Sequence, residues 1–145
     1  MMENLQEKYK RFFSGVCYAF CLVKKFRPKS NDAEVAKITL DGWDKGYVDA
    51  DGYVSKPVEF INECILGEKY AIRDVEKVDF SIHALEDKDN IVMFQYNGGT
   101  HFVIMNQAGD IIFDPSGNSN SAKFGIPVSI RRFVFNKPYS MKNFE

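Results

Sequence analysis

Apolar residues recur at three- and four-residue intervals in the first half of the chain and alternate with polar ones in much of the second. Val16, Ala19, Phe20, Val23 and Phe26 form one helical stripe, preceded by Ser14-Gly15 and accompanied at its end by basic Lys24, Lys25 and Arg27. That spacing predicts a helix over 16–26 whose first turn holds Cys17. Asn31 and Glu34 have the separation of a capping pair, which predicts a second helix over 33–43, with Val35 and Ile38 inward and Gly46 as a stop. Asp51-Gly52 marks a turn, and Pro57 then opens a third, shorter helix over 58–66 that Gly67 closes. From Tyr70 onward β-branched and aromatic residues predict strands over 70–75, 78–82, 91–96, 101–105, 111–114 and 128–135. The last connections are short, so neighbouring strands should run antiparallel. The expected fold class is α+β: N-terminal helices on one face of a C-terminal antiparallel sheet, in a single domain over 1–145. Residues 116–124, rich in Gly, Asn and Ser, read as a surface loop.

Composition narrows the function classes. Of the 145 residues, 45% are hydrophobic, which is too many for a disordered chain. The net charge is −1 with no block of like charge, so no nucleic-acid partner is expected. The apolar run 15–23 falls short of a bilayer span and no small-residue cleavage site follows it, so the expectation is no membrane span and a cytoplasmic location. Cys17, Cys21 and Cys64 contain no C-x-x-C pair and there are two histidines, so free thiols are expected, with neither a disulfide framework nor a metal or other cofactor. Asp49-x-Asp51-Gly52 begins like a calcium loop. Aligning Gly52 with the loop's glycine, however, puts Tyr47 at the first ligand position and Val58 at the last, and neither side chain suits the ion.

One constellation carries chemistry. The first turn of a helix has unpaired amides that favour a thiolate, and Cys17 is placed there. An imidazole acting as acid and base needs a third group to fix its tautomer; His101 and Asp114 fit these parts. If Asn106-Gln107-Ala108-Gly109 joins their strands, Met105 faces Asp110 and His101 faces Asp114, with Cβ atoms about 4.5–5.5 Å apart. A bulge at Gly109 would instead leave Asp114 one step off. Cys21 is expected to face the core, Cys64 to be packing, and His83 to face solvent from a strand. Trp43 and Tyr47, beside Asp41, Asp44 and Asp49, either wall a groove or close the core.

Gly15-Val16-Cys17-Tyr18-Ala19-Phe20 resembles the G-x-C-W-A-F pattern around the nucleophile of papain-like cysteine peptidases, with Tyr18 in place of Trp. His101-Phe102-Val103-Ile104, followed by Ile111-Ile112-Phe113-Asp114-Pro115, resembles the H-F-V-V … D-P segment of the compact bacterial members that process bacteriocin leader peptides. The resemblance covers these two patches and the order of helices before sheet. It implies a papain-like fold acting on a peptide or protein substrate, with a peptide or isopeptide bond cleaved through an acyl-enzyme. Cys17 would then be the nucleophile, His101 the acid–base and Asp114 the orienting residue. The family usually places Gln six residues before the nucleophile as an oxyanion donor, and here that position is Arg11. Arg11 or Ser14, with the Cys17 backbone N–H, would have to support the oxyanion, with Gln6 a distant fallback. Losing one such donor costs about 10²–10³ in rate, so the alternatives are a weak or inactive papain-like binding module, or a papain-like cell-wall amidase. Those amidases usually carry Asp before the Cys, a position held here by Val16.

Overall fold

A computed structural model describes residues 5–117 and 119–140; the side chains of residues 5–9 lie outside this description. Three helices come first: α1 (Leu5–Ser14), α2 (Cys17–Phe26) and α3 (Asp32–Asp44). α4 (Pro57–Glu59) then widens into a π-helical segment, Phe60–Leu66. Five strands follow: β1 (Ile72–Asp79), β2 (Asn90–Tyr96), β3 (Gly99–Met105), β4 (Ile111–Phe113) and β5 (Ile126–Phe135), with α5 (Asn120–Phe124) before the last. They make one antiparallel sheet in the order β1-β5-β2-β3-β4. The α+β expectation holds.

Local chemistry accounts for the helix ends. Asn31 Oδ1 accepts the Glu34 amide at 2.9 Å while the Asn31 amide donates to the Glu34 carboxylate, closing the capping box at the head of α3. Gly67 adopts φ +68° after the π-helical segment, a left-handed stop that a side chain would oppose.

The sheet's alternation separates two cores. Ile91 and Ile104 meet Leu22, Val23 and Phe26 of α2 under the helical layer. Val92, Phe94, Val103, Met105 and Ile130 point to the other face, where Phe80, Ala84, Leu85 and Ala122 cover them. α2 is buried on several sides because it lies between the other helices and the sheet. Among the described residues, no helix is long and apolar enough to cross a membrane.

Three expectations need correction. The two strands expected over 70–75 and 78–82 are one. Glu76 and Lys77 read as a break, yet they pair with Arg132 and Arg131 on a sheet edge, where polar side chains reach solvent. His83 does face solvent, but from a 3₁₀ turn (Ile82–Ala84) capped by the Ser81 hydroxyl, not from a strand. The loop expected over 116–124 contains α5, capped by Ser119.

The start of β1 depends on one side chain. Asn62, 3% exposed, donates to Ile72 O and accepts from Ile72 N, both at 2.9 Å. Asn62→Ala strands both backbone groups in the interior, where each costs about 1–3 kcal/mol. A fall of about 2–4 kcal/mol in urea-unfolding stability is expected, with the far-UV spectrum retained at low denaturant.

Candidate active site

Two glycines set where α2 begins. A Cβ on Gly15 would collide with the Asp51 carbonyl oxygen, and Gly52, at φ +86°, lies so close to the Phe12 carbonyl that a side chain there would meet it. The loop carrying Asp51-Gly52 is therefore laid directly on the turn between α1 and α2. Asp49 Oδ1 fixes that loop by accepting the amides of Asp51 (2.9 Å) and Tyr53 (3.0 Å), so this carboxylate serves a turn.

α2 starts at Cys17 without a side-chain cap. Val16 supplies none, and the first backbone bond of the helix runs from Phe20 N to Val16 O at 2.9 Å. Cys17 is half-buried and its thiol lies close enough to the His101 imidazole to be the largest influence on that ring's pKa. His101 Nε2–H donates to Asp114 Oδ1 at 2.7 Å, with the two side chains 9% and 6% exposed. Because Nε2 is taken by the carboxylate, Nδ1 is the nitrogen left for Cys17. Cys17, His101 and Asp114 thus come together, with the imidazole hydrogen-bonded to the carboxylate and next to the thiol.

The electrostatics follow from these contacts. The neighbouring Cys17 thiol is the strongest influence raising the His101 pKa; burial opposes it and Asp114 reinforces it, and the net direction is up. For Asp114, burial is the largest influence and acts upward, but the bonds from Ser119, His101 and Ser116 together outweigh it and hold the carboxyl below its ordinary value. Burial pushes the Cys21 thiol well up, with Cys17 and Asp114 adding to the effect. Burial, then Asp41, pushes Cys64 up to about 12. Neither is a primed nucleophile.

The favoured hairpin register does not form: the turn adopts the alternative with a bulge at Gly109, and one further irregularity between Ile104 and Met105 follows it. Met105 faces Ile111 rather than Asp110, and Ile104 faces Phe113 across a second irregularity. The cause is the turn. Asn106 Oδ1 accepts the amides of Ala108 and Asp110, Asn106 N donates to Asp110 O at 2.9 Å, and Gly109 sits at φ +86°, so the turn encloses three residues and shifts the register by one. Asp114 is consequently past the end of β4, at the head of a turn closed by Gly117 N on Asp114 O at 2.9 Å. Its side chain leans back to His101 instead of standing opposite it in a ladder.

Several neighbours were not singled out from the sequence. Tyr18, next to Cys17, stacks on Phe102, next to His101, with ring centroids 4.4 Å apart. The Arg131 guanidinium lies over both rings, 5.9 and 5.2 Å from their centroids, and donates to Ser129 Oγ at 2.8 Å. Burial pushes the Tyr18 hydroxyl up to about 12 despite Arg131 beside it. Ser119 binds Asp114 Oδ2 twice, through Oγ at 2.7 Å and its amide at 3.2 Å, and Ser116 N binds Oδ1 at 2.9 Å. The available sequence signal for Ser119 was a serine three positions before Ala122, the spacing of a helix cap.

The expected oxyanion supports are engaged elsewhere. Arg11 Nε is 3.0 Å from Asp51 Oδ1, both exposed, and the Ser14 hydroxyl donates to Lys10 O at 2.7 Å. Gln6 belongs to α1, but its side chain lies outside the described residues. Trp43 closes the core by stacking on Phe12 at 4.3 Å, and Tyr47 donates to Glu63 at 2.6 Å. No family model, curated protein or solved structure matches this chain.

Proposed function

We propose that this chain is a cysteine hydrolase of papain-like fold that cleaves a peptide or isopeptide bond. The observation carrying it is the line from the Cys17 sulfur through the His101 imidazole to the Asp114 carboxylate, with the sulfur at the uncapped head of a helix. In this reading the imidazole takes the thiol proton as the sulfur attacks. The thiolate attacks the carbonyl carbon, a C–S bond forms, and the amides of the first turn of α2, Cys17 N–H among them, face the oxygen that takes up the charge. The imidazolium passes its proton to the leaving amine as the C–N bond breaks. Water, deprotonated by the now neutral imidazole, attacks the thioester, and loss of the C–S bond regenerates the thiol. Asp114 keeps the ring in the tautomer that these steps need.

A second reading is favoured by Arg11 and Ser14, whose donors bind Asp51 and Lys10 instead of standing ready for an oxyanion. It is a binding module of the same fold with little or no turnover. Iodoacetamide alkylation at pH 6 tests the first proposal. Cys17 is expected to react faster than glutathione and faster than Cys64, and Cys17→Ala to remove the fast phase while the far-UV spectrum stays unchanged. Reaction of Cys17 at the rate of glutathione would count against an activated thiolate. Fast labelling with no acyl-enzyme formed from any peptide in a library would favour the binding module.

A further inference from the structure

We infer that Ser119 is a positioning residue of this site, holding one oxygen of Asp114 so that the other is presented to His101. The inference rests on the hydrolase reading and extends it by one residue. Among the described residues, Asp114 accepts four bonds. His101 Nε2–H and the Ser116 amide share Oδ1, while the Ser119 amide and hydroxyl share Oδ2. Among the described residues, both donors on Oδ2 come from Ser119, so this residue sets the rotation of the carboxylate plane. The hydroxyl has a definite polarity. It accepts from Ala122 N at 3.2 Å, so its single hydrogen is the one directed at Oδ2. The carboxylate therefore cannot turn without breaking a charge-assisted bond at 2.7 Å, and the ring it holds keeps Nδ1 toward Cys17.

A purely structural role is the competing explanation, because the same hydroxyl caps α5. Substitutions separate the two. Aspartate caps a helix as well as serine does, but it has no proton to give and sets a second negative charge against Asp114. Glycine weakens a cap only slightly and removes the hydroxyl altogether. The readouts are the second-order rate of Cys17 alkylation by iodoacetamide between pH 4 and 8, and the titration of the Asp114 carboxyl carbon followed by NMR. Ser119→Gly is expected to slow alkylation at pH 6 about 3–10-fold and to move the Asp114 titration to higher pH, since a bond to its ionised form is lost. Ser119→Asp is expected to slow alkylation about tenfold or more, and Ser119→Thr to restore the wild-type behaviour.

Wild-type alkylation and an unmoved Asp114 titration in the glycine and aspartate variants would reduce Ser119 to a helix cap and overturn the inference. So would a threonine variant that behaves like glycine. If the glycine variant does not fold, the aspartate variant, which keeps the cap, decides the matter. Failure of the hydrolase reading looks different: wild-type Cys17 then labels no faster than glutathione, while the Asp114 titration still reports whether Ser119 holds the carboxylate.

Discussion

His101→Ala is expected to slow alkylation of Cys17 at pH 6 by about two orders of magnitude, because an unassisted thiol is only a few tenths of a per cent ionised there. In the proposed mechanism the ring beside the sulfur accepts the proton; its pKa is raised first by the neighbouring Cys17 thiol and then by Asp114, against the opposing effect of burial. Alanine removes the acceptor and leaves the Asp114 carboxylate without its Nε2–H donor. The difference between the two proteins should narrow as pH rises, since ionisation of the thiol then needs no assistance. A rate at pH 6 within threefold of wild type would show that the imidazole does not activate the sulfur.

Stability provides a second, signed readout of the same contacts. His101 has a raised folded pKa, so its contribution is complete below its ordinary value of 6.5 and is lost as pH rises through the folded value. Asp114 is depressed from 3.8, so its contribution is complete above that value and is lost as pH falls through the folded one. Both contributions are present together between pH 3.8 and 6.5. Urea titrations should therefore show the stability gap between wild type and His101→Ala widest in that window and shrinking above it.

The features legible in the sequence are those governed by local rules. The stripe ending at Phe26, the Asn31/Glu34 box and the Pro57…Gly67 bracket each depend on residues within a few positions of one another, and α2, α3 and the α4 segment formed where those signals stood. Cys17, His101 and Asp114 were legible as residue types in a particular order. Their meeting depends on a hairpin register that the sequence leaves open between two alternatives; the bulge at Gly109 selects the second, and the further irregularity between Ile104 and Met105 leaves no mark in residue types. Ser119 stayed hidden because its partner is the carboxylate of Asp114 at the other end of a turn, and a glycine- and serine-rich segment carries no periodicity to reveal that. Tyr18, Phe102 and Arg131 come from three separate elements, so their stacking is a property of the packed molecule alone.

Lys25 shows the same limit at larger cost. It belongs to the basic end of a helix, where nothing in the sequence marks it for burial, yet its side chain is 1% exposed and Nζ lies 3.0 Å from Asp89 Oδ1 and 3.5 Å from Asp87 Oδ2, while also donating to the Asp89 carbonyl. Lys25→Met keeps the stem and deletes the charge, leaving the Asp89 carboxylate, 12% exposed, without its buried cation. Breaking such a pair from one side costs about 3–5 kcal/mol, and for a chain of this size that lowers the melting temperature by roughly 10 °C. Adding Asp89→Leu to Lys25→Met should restore most of the loss, because two apolar residues no longer leave a charge unmatched. A double variant as unstable as the single one would show that the lysine's other contacts, including Phe133 at 5.7 Å, supply the stability instead. The pair also bears on the site. α2 is held at its tail by Lys25 on Asp89, just before β2, and at its head by Tyr18 on Phe102 in β3, so the two attachments fix the helix that carries Cys17 against the strand that carries His101. Lys25→Met measured well below its melting temperature should accordingly show slower Cys17 alkylation with the secondary structure intact, and the double variant should regain the rate in proportion to the stability it recovers.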